Sequence, residues 1–508
     1  MPRLATPTRR PVLGSAILSV MLAGCTVGPD FHAPPAPAST RFTETAMPGQ
    51  TASAATAGGE AQKLGPERDI PGEWWGLFRS PQITALVTQA LNANPDVAAA
   101  KATLLQARET MRAEQGALFP SIGASAQVQR QRESLAGLGF GTGSQTFTAY
   151  NAGLNVSYTL DAFGGVRRQI EQLGAQAEYQ RFELEAVDLT LAANVINAAI
   201  NEAALQAQID TTHEIIQADT DALNLTRSRF ELGGVSQADV LQQQALLDTQ
   251  IATLPGLEKQ LQQQRNQLAV YLGGRPDQYT MPTLDLRRLA LPGELPVTLP
   301  SKLVEQRPDI RAYAALLHSA TAAVGVATAN MLPNISLSAS YGREGSTPAN
   351  LFTPAGIIWS IASSITQPIF QGGTLTARRK AAQAALQVAA AQYSSTVNTA
   401  FQNVANVLVA IQRDAETLRA ALAAQQTAAA SLAVARSQYR AGAGTYLNVL
   451  TAEQADYSAR LNVITARAAR FTDTVALFQA LGGGWWNRQD LNQESRDTKI
   501  AGCCGVLR

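Results

Sequence analysis

Catalysis and metal binding need particular side chains brought within reach of one another, so the histidines, cysteines and glycine loops are read first. His32, His213 and His318 lie far apart, and none has a metal-type partner at helical spacing. His213 and Glu214 are neighbours on what reads as a long helix, where they face solvent or another helix. Cys503 and Cys504 are adjacent in a tail without apolar periodicity, which gives neither a disulfide framework nor metal spacing. No glycine loop of the phosphate-binding kind occurs. The expectation is a chain with no catalytic residue, no cofactor and no metal, and not an enzyme. The remaining cysteine, Cys25, has a different context.

Arg3, Arg9 and Arg10 form a basic flank, and an apolar run from Val12 to Ala23 follows. The run ends in Leu22-Ala23-Gly24-Cys25, which resembles the lipobox of bacterial lipoproteins. That resemblance implies a signal peptide over 1–24, cleavage before Cys25 and acylation of Cys25. Thr26 stands where an aspartate would be the usual inner-membrane retention signal, which favours the outer membrane. Residues 25–70, rich in Ala, Pro, Thr and Gly, then read as a lipidated tether. Charged residues make up 16% of the chain, below the usual quarter, and the net charge is +1. That balance offers nothing to a nucleic acid. No apolar run reaches the roughly 18 residues of a transmembrane helix.

The chain is written twice. Asn94-Pro95-Asp96-Val97 recurs 213 residues later as Arg307-Pro308-Asp309-Ile310, and Leu118-Phe119-Pro120-Ser121-Ile122 recurs at the same offset as Met331-Leu332-Pro333-Asn334-Ile335. Further on the offset is 209. It relates Arg227-Ser228-Arg229-Phe230 to Arg436-Ser437-Gln438-Tyr439, Asp239-Val240-Leu241 to Asn448-Val449-Leu450, and Tyr271-Leu272-Gly273-Gly274 to Ala480-Leu481-Gly482-Gly483. The unit is too long for a solenoid repeat and is a duplicated domain. The first copy covers 71–274, a proline-rich linker 275–300, the second copy 301–484, and a tail 485–508.

Each copy holds two strand-like and two helical segments. Near 119–132 and 146–160, and again near 333–343 and 357–370, apolar and polar residues alternate. Ile122, Ala124, Ala126 and Val128 oppose Ser121, Gly123, Ser125 and Gln127, while Ile361 and Ile365 alternate with Ser360 and Ser364. Period two with a polar face is expected of membrane β-barrel strands, with Tyr158, Tyr341 and Trp359 as interface anchors. Between Gly373 and Gly442 there is no proline, and Val397, Phe401, Val404, Leu408, Ile411, Ala415, Leu418 and Leu422 step by four and three, a coiled-coil seam. Such a helix is roughly 100 Å long. A matching stretch runs from Gly165 to Leu232, where Ala192, Asn194, Asn197 and Gln206 are small or uncharged residues suited to lateral packing. Each long helix ends at a glycine turn, tips 230–239 and 439–448, and a second helix returns. Ser236 with Asp239 forms a capping box, and Thr445 with Asn448 repeats the arrangement with an amide in place of the carboxylate. Arg227 and Arg436 make either a surface ion pair or a tip contact.

Four strands cannot close a water-filled barrel, since open edges in lipid leave backbone groups unpaired. Two, three or four copies would supply 8, 12 or 16 strands, and the sequence does not choose among them.

The lipobox, Trp74-Trp75 followed by Asn94-Pro95-Asp96, the Leu118-Phe119-Pro120 junction, Phe163-Gly164-Gly165, Phe370-Gln371-Gly372-Gly373 and the glycine tips together resemble the TolC/OprM-type outer-membrane factor family. The branch most similar is the lipoproteins serving resistance-nodulation-division efflux pumps. The resemblance implies a homotrimer in outer-membrane lipid, with a twelve-strand β-barrel continuous with a twelve-helix α-barrel. It also implies a periplasmic tip that meets a membrane-fusion adaptor and a proton-driven inner-membrane pump, the exported small molecule staying open. The tip positions that match are Phe230, Gly233, Ser236, Asp239 and Val240, then Tyr439, Gly442, Thr445, Asn448 and Val449. Asn448 and Thr451 stand where some members carry an acidic ring, so any constriction falls to Asp239, Tyr439 or packing. Two other readings stay open: the duct of a type I protein-secretion system, and a coiled-coil scaffold lipoprotein that conducts nothing.

Overall fold

The computed structural model describes residues 26–39, 41–65, 69–134, 143–278 and 284–488. Cys25, Cys503 and Cys504 lie outside them. In chain order the elements are β1 (Lys63–Gly65), α1 (Pro81–Ala93), α2 (Pro95–Gln115), β2 (Ser121–Ser134), β3 (Ser144–Leu160), α3 (Gly165–Glu231) and α4 (Gln237–Tyr271). They continue as β4 (Glu294–Pro296), α5 (Pro300–Gln306), α6 (Pro308–Ala329), β5 (Asn334–Gly345), β6 (Ile357–Thr366), α7 (Thr374–Arg440) and α8 (Tyr446–Ala480). Two compact units result. One takes the described part of Met1–Pro34 with Leu104–Gln180 and Tyr313–Tyr393, and the other takes Pro35–Thr103, Arg181–Ala312 and the described part of Ser394–Arg508.

The first unit holds the four strands as one antiparallel sheet in the order β2-β3-β5-β6. The last strand is shorter than its alternation suggests. It ends at Thr366 because Gln367-Pro368 follows, and proline has no N–H to give a ladder.

In the second unit the repeated motifs explain themselves. Proline opens both α2 and α6, where a helix needs no N–H. The residue before each proline ties that start to the end of a returning helix. Asn94 Oδ1 accepts from Asp96 N at 2.8 Å while its Nδ2 donates to the carbonyl of Tyr271, the last residue of α4, at 3.0 Å. Arg307 does the same work with a different group: Nη1 donates to the carbonyl of Ala480, the last residue of α8, at 3.0 Å, and Nε donates to Asp309 at 2.8 Å. Two copies keep one joint with unlike chemistry. Nearby, Trp74, Phe78, Phe471 and Phe478 form a buried aromatic core, with Trp74 stacked on Phe478 at 5.2 Å.

Six of the eight seam residues of α7 are buried, Val404 and Leu418 fully so, and Phe401 and Leu422 are half-buried. On α3, Ala192 is also buried, joining Val195, Ile196 and Ala199 in the core rather than a lateral surface. The tether and linker are likewise more ordered than their composition suggests. β1 from the former pairs in parallel with β4 from the latter, Thr51 and Gln62 are buried, and Leu286, Leu289, Leu291 and Leu295 of the linker point into the core. The tail begins docked, with Trp485 Nε1 donating to the Gln306 carbonyl at 2.6 Å and Arg488 paired with Glu185 at 3.0 Å.

Candidate functional site: an uncovered sheet and two hairpin tips

Directly opposed residues in an antiparallel sheet point to the same face, so the register assigns each face as rows across four strands. One face carries Ile122, Val156, Ala339 and Ile361 in one row, and Ala124, Leu154, Tyr341 and Trp359 in the next. The other carries Gly123, Asn155, Ser340 and Ser360, and beside it Ser121, Ser157, Ser338 and Ala362. Hydroxyls bridge the strands on this second face: Ser121–Ser157 at 2.7 Å, Ser340–Ser360 at 2.8 Å and Ser336–Ser364 at 2.9 Å.

The apolar face is uncovered. Ile361 is 78% exposed, Trp359 70%, Ile122 72% and Leu154 52%. A soluble sandwich would bury these side chains; here both faces are open, which suits lipid on one side and water on the other. The expected aromatic anchors Tyr341 and Trp359 stand opposite one another. Tyr158 faces Leu337. The outer edges of β2 and β6 have no partner strand among the described residues.

The hairpin tips use glycine where the chain must turn with positive φ, Gly233 at +75° and Gly442 at +73°. At the first tip the capping box is complete. Asp239 N donates to Ser236 Oγ at 3.2 Å, and Ser236 N donates to Asp239 Oδ2 at 2.9 Å. The second tip departs from expectation. Thr445 occupies the N-cap position with no side-chain cap bond, and only the backbone link from Asn448 N to the Thr445 carbonyl at 3.2 Å is made. A neutral amide lacks the charge that the positive end of a helix favours, so the reciprocal box is not drawn together.

Packing at the second tip supplies what the cap does not. Tyr446 and Val449 are buried with Leu432, Ala435 and Leu450, and Tyr439 and Leu246 pack against them. The Tyr439 ring lies 5.0 Å from that of Tyr446, and the Arg229 guanidinium sits 5.7 Å above Tyr439. Phe230, Gly233, Ser236, Gly442, Thr445 and Asn448 are exposed, Asp239, Val240 and Tyr439 half-buried, and Val449 buried. The matched arginines brace their own hairpins. Arg227 donates to the Gln244 amide oxygen at 2.6 Å, and Arg436 pairs with Glu453 at 2.9 Å. The expected ion pair therefore forms only in the second copy. His213 and Glu214 are exposed on α3.

A polar joint between the two hairpins was invisible in the sequence. The Tyr446 hydroxyl donates to Gln243 of α4, whose amide donates to the Asp219 carbonyl of α3 at 3.2 Å. Asp219 is buried, and burial followed by the charge of Glu453 pushes its carboxyl up to about 6. The folded chain therefore holds the proton across a window where the unfolded chain has lost it. The contribution of Asp219 to hairpin stability is full below pH ~4 and is lost as pH rises through about 6. Asp219→Asn is expected to reduce the slope of thermal melts between pH 4 and 6, leaving the part due to half-buried Asp473 on α8, which loss of solvent and Asp414 push up to about 7; an unchanged slope would place the titration elsewhere.

A mainly helical chain whose sheet, among the described residues, is uncovered on both faces and open at both edges fits an outer-membrane channel. The family model described as outer membrane efflux protein matches residues 86–274 and 299–483, and the chain belongs to that family. The antibiotic efflux pump outer membrane protein ArpC of Pseudomonas putida is 31% identical over 480 residues, covering 94% of this chain and 96% of that protein. The toluene efflux pump outer membrane protein TtgC, also of Pseudomonas putida, is likewise 31% identical over 480 residues, with the same coverage. Among solved structures, the outer-membrane channel OprN superposes with a TM-score of 0.82 at 28% identity, covering 91% of this chain and all of that one. The chain is thus an outer-membrane component of an efflux system, a channel part that works with an adaptor and an inner-membrane transporter.

Proposed function

We propose that three copies of the chain close into a passive exit duct. Their sheets supply a twelve-strand barrel and the pairs α3/α4 and α7/α8 a twelve-helix barrel, and the tips meet a periplasmic membrane-fusion adaptor joined to a proton-driven pump of the resistance-nodulation-division type. Acylation of Cys25 adds a lipid anchor. The observation that carries this is the uncovered apolar face of a four-strand sheet whose two edges are unpaired among the described residues. In hydrocarbon those edge N–H and C=O groups cost several kcal/mol each unless neighbouring strands take them up (on the order of 2–7 each by transfer). The serine-lined face supports a wetted lumen.

Selectivity lies mostly with the pump. Relatives at equal identity carry the names of an antibiotic pump and a toluene pump, so the cargo proposed here is a class, drugs and toxic small molecules. The full-length protein, extracted in detergent, is expected to run as a heat-modifiable trimer and to pass ions across a planar bilayer. A monomer that stays soluble without detergent, or a trimer that conducts nothing, would refute the duct.

A further inference from the structure

The residues immediately after Cys25 are seated in a slot on the first unit. Val27 N donates to the Phe163 carbonyl at 3.2 Å, and Arg168 Nε donates back to the Val27 carbonyl at 3.1 Å. Arg168 Nη2 reaches Asp30 at 2.6 Å and Nη1 reaches Glu171 at 2.7 Å. Glu171 in turn meets His318 Nε2 at 2.9 Å, and the Phe31 ring stacks on His318 at 4.4 Å with planes 15° apart. Arg168 is only 4% exposed. A guanidinium taken out of water needs acceptors, and the segment supplies two of its three partners.

The slot is also shaped for this segment. Gly28 has φ of +97°, and a Cβ there would stand 2.4 Å from the Cα of Gly325 on α6. A Cβ on Gly325 would meet the Arg168 side chain at 2.9 Å and the Val27 carbonyl at 3.0 Å, and one on Gly164 would meet Thr26 at 2.7 Å. Backbone lies against backbone, with no room for a side chain between. A surface loop resting by chance does not require glycine on both sides and a buried cation beneath.

We infer that Arg168, Glu171, His318 and Gly325 form a docking site whose ligand is the chain's own segment Thr26–Phe31, and that this site fixes where the membrane anchor leaves the fold. The inference rests on the acylation of Cys25 proposed above. Thr26 lies against Gly164, between the end of β3 at Leu160 and the start of α3 at Gly165. The anchor is therefore delivered at the foot of a membrane strand. An open-edged sheet held there presents its apolar face to lipid in one orientation before neighbouring subunits pair its edges.

The test uses the full-length protein in its native outer membrane, with Arg168→Met removing the donors and Gly28→Val blocking the seat from the strap side. Gly28→Val alters only the strap, so unfolding of α3 or α6 cannot account for a shared effect of both variants. Three quantities are read: acylation of the N-terminal peptide by mass spectrometry, hydrogen exchange of residues 26–34 in the extracted trimer, and the yield of heat-modifiable trimer. Both variants are expected to remain acylated, to exchange at least tenfold faster over 26–34, and to give several-fold less trimer. Unchanged exchange overturns the docking site, and faster exchange with a normal trimer yield overturns its role in assembly. An N-terminal peptide without acyl chains overturns the anchor reading itself, and that result is read separately from the other two.

Discussion

Ile361→Arg is expected to prevent assembly of the channel in the outer membrane, and Leu154→Arg, which shares its row with the aromatic anchors Tyr341 and Trp359, to impair it less. Both side chains stand on the uncovered apolar face, Ile361 in the row of Ile122, Val156 and Ala339, and Leu154 in the row of Tyr341 and Trp359. A charge on a lipid-facing barrel position costs about 2–4 kcal/mol near mid-bilayer and little near the interfaces. In the proposed trimer the burden multiplies, because each closed barrel would carry three such charges. The control is one residue away. Ser360 belongs to the opposite face, hydrogen-bonded to Ser340 at 2.8 Å. Ser360→Lys is expected to assemble normally and to shift the ion selectivity of the pore, since that side chain would stand in water. The measurement is the amount of heat-modifiable trimer in the outer membrane, followed by bilayer conductance for the variant that assembles. Equal trimer for Ile361→Arg and wild type would mean that the faces are assigned the wrong way round or that the sheet never meets lipid.

The strand faces were legible because period two survives in the sequence wherever one face is apolar and the other is not. Along β6 the register puts Trp359, Ile361 and Ile365 on one face and Ser360 and Ser364 on the other, with Ile358 and Ser363 the exceptions. The duplication was legible for a similar reason. A constant offset of 209 carries Arg227 and Gln244 onto Arg436 and Glu453, and Tyr271 onto Ala480, and each pair makes the corresponding contact in its own copy. At the tips, Ser236 and Asp239 are close in sequence, and a box formed within one turn needs nothing else. Thr445 shows the limit: the pattern is nearly the same, yet its hydroxyl makes no cap bond.

What the sequence concealed is of one kind, contacts between residues far apart whose segments carry no period. Residues 51–62 are small and polar, so composition suggests a tether, yet they are fastened to residues more than four hundred positions away. Arg168 reaches Asp30 across 138 residues and His318 meets Glu171 across 147. No helical or strand spacing announces such pairs. Asp219 reads as one more surface carboxylate on a long helix until the second hairpin covers it. Alanine is ambiguous in the same way: Ala192 suits a lateral surface and a core equally, and only its neighbours decide.

The fastening of residues 51–62 gives the second large effect. Arg470 on α8 is 2% exposed and has no carboxylate at hydrogen-bond distance among the described residues; its guanidinium instead donates to the carbonyls of Gly58 and Glu60, both at 2.9 Å, and to Gln62 Oε1 at 3.2 Å. Burial depresses its affinity for the proton, with the more distant charges of Glu60 and Asp414 opposing that shift. Gln62 extends the network through Nε2, donating to the Pro292 carbonyl and to Thr474, both at 3.1 Å. One buried cation thus ties the N-terminal segment, the mid-chain segment before β4 and α8 together. Arg470→Met keeps the apolar volume but strands two backbone carbonyls, at about 1–3 kcal/mol each when left without a donor. A loss on the order of 3 kcal/mol in the stability of this region is expected. Arg470→Lys retains the charge but cannot reach carbonyls on several sides with a planar fork, so it is expected to recover only part of the loss. Limited proteolysis within 51–62 and the melting temperature of the detergent-extracted protein are the readouts. Resistance to proteolysis equal to wild type in Arg470→Met would show that apolar packing by Phe471, whose ring lies against Gly58, rather than the guanidinium, holds the segment in place.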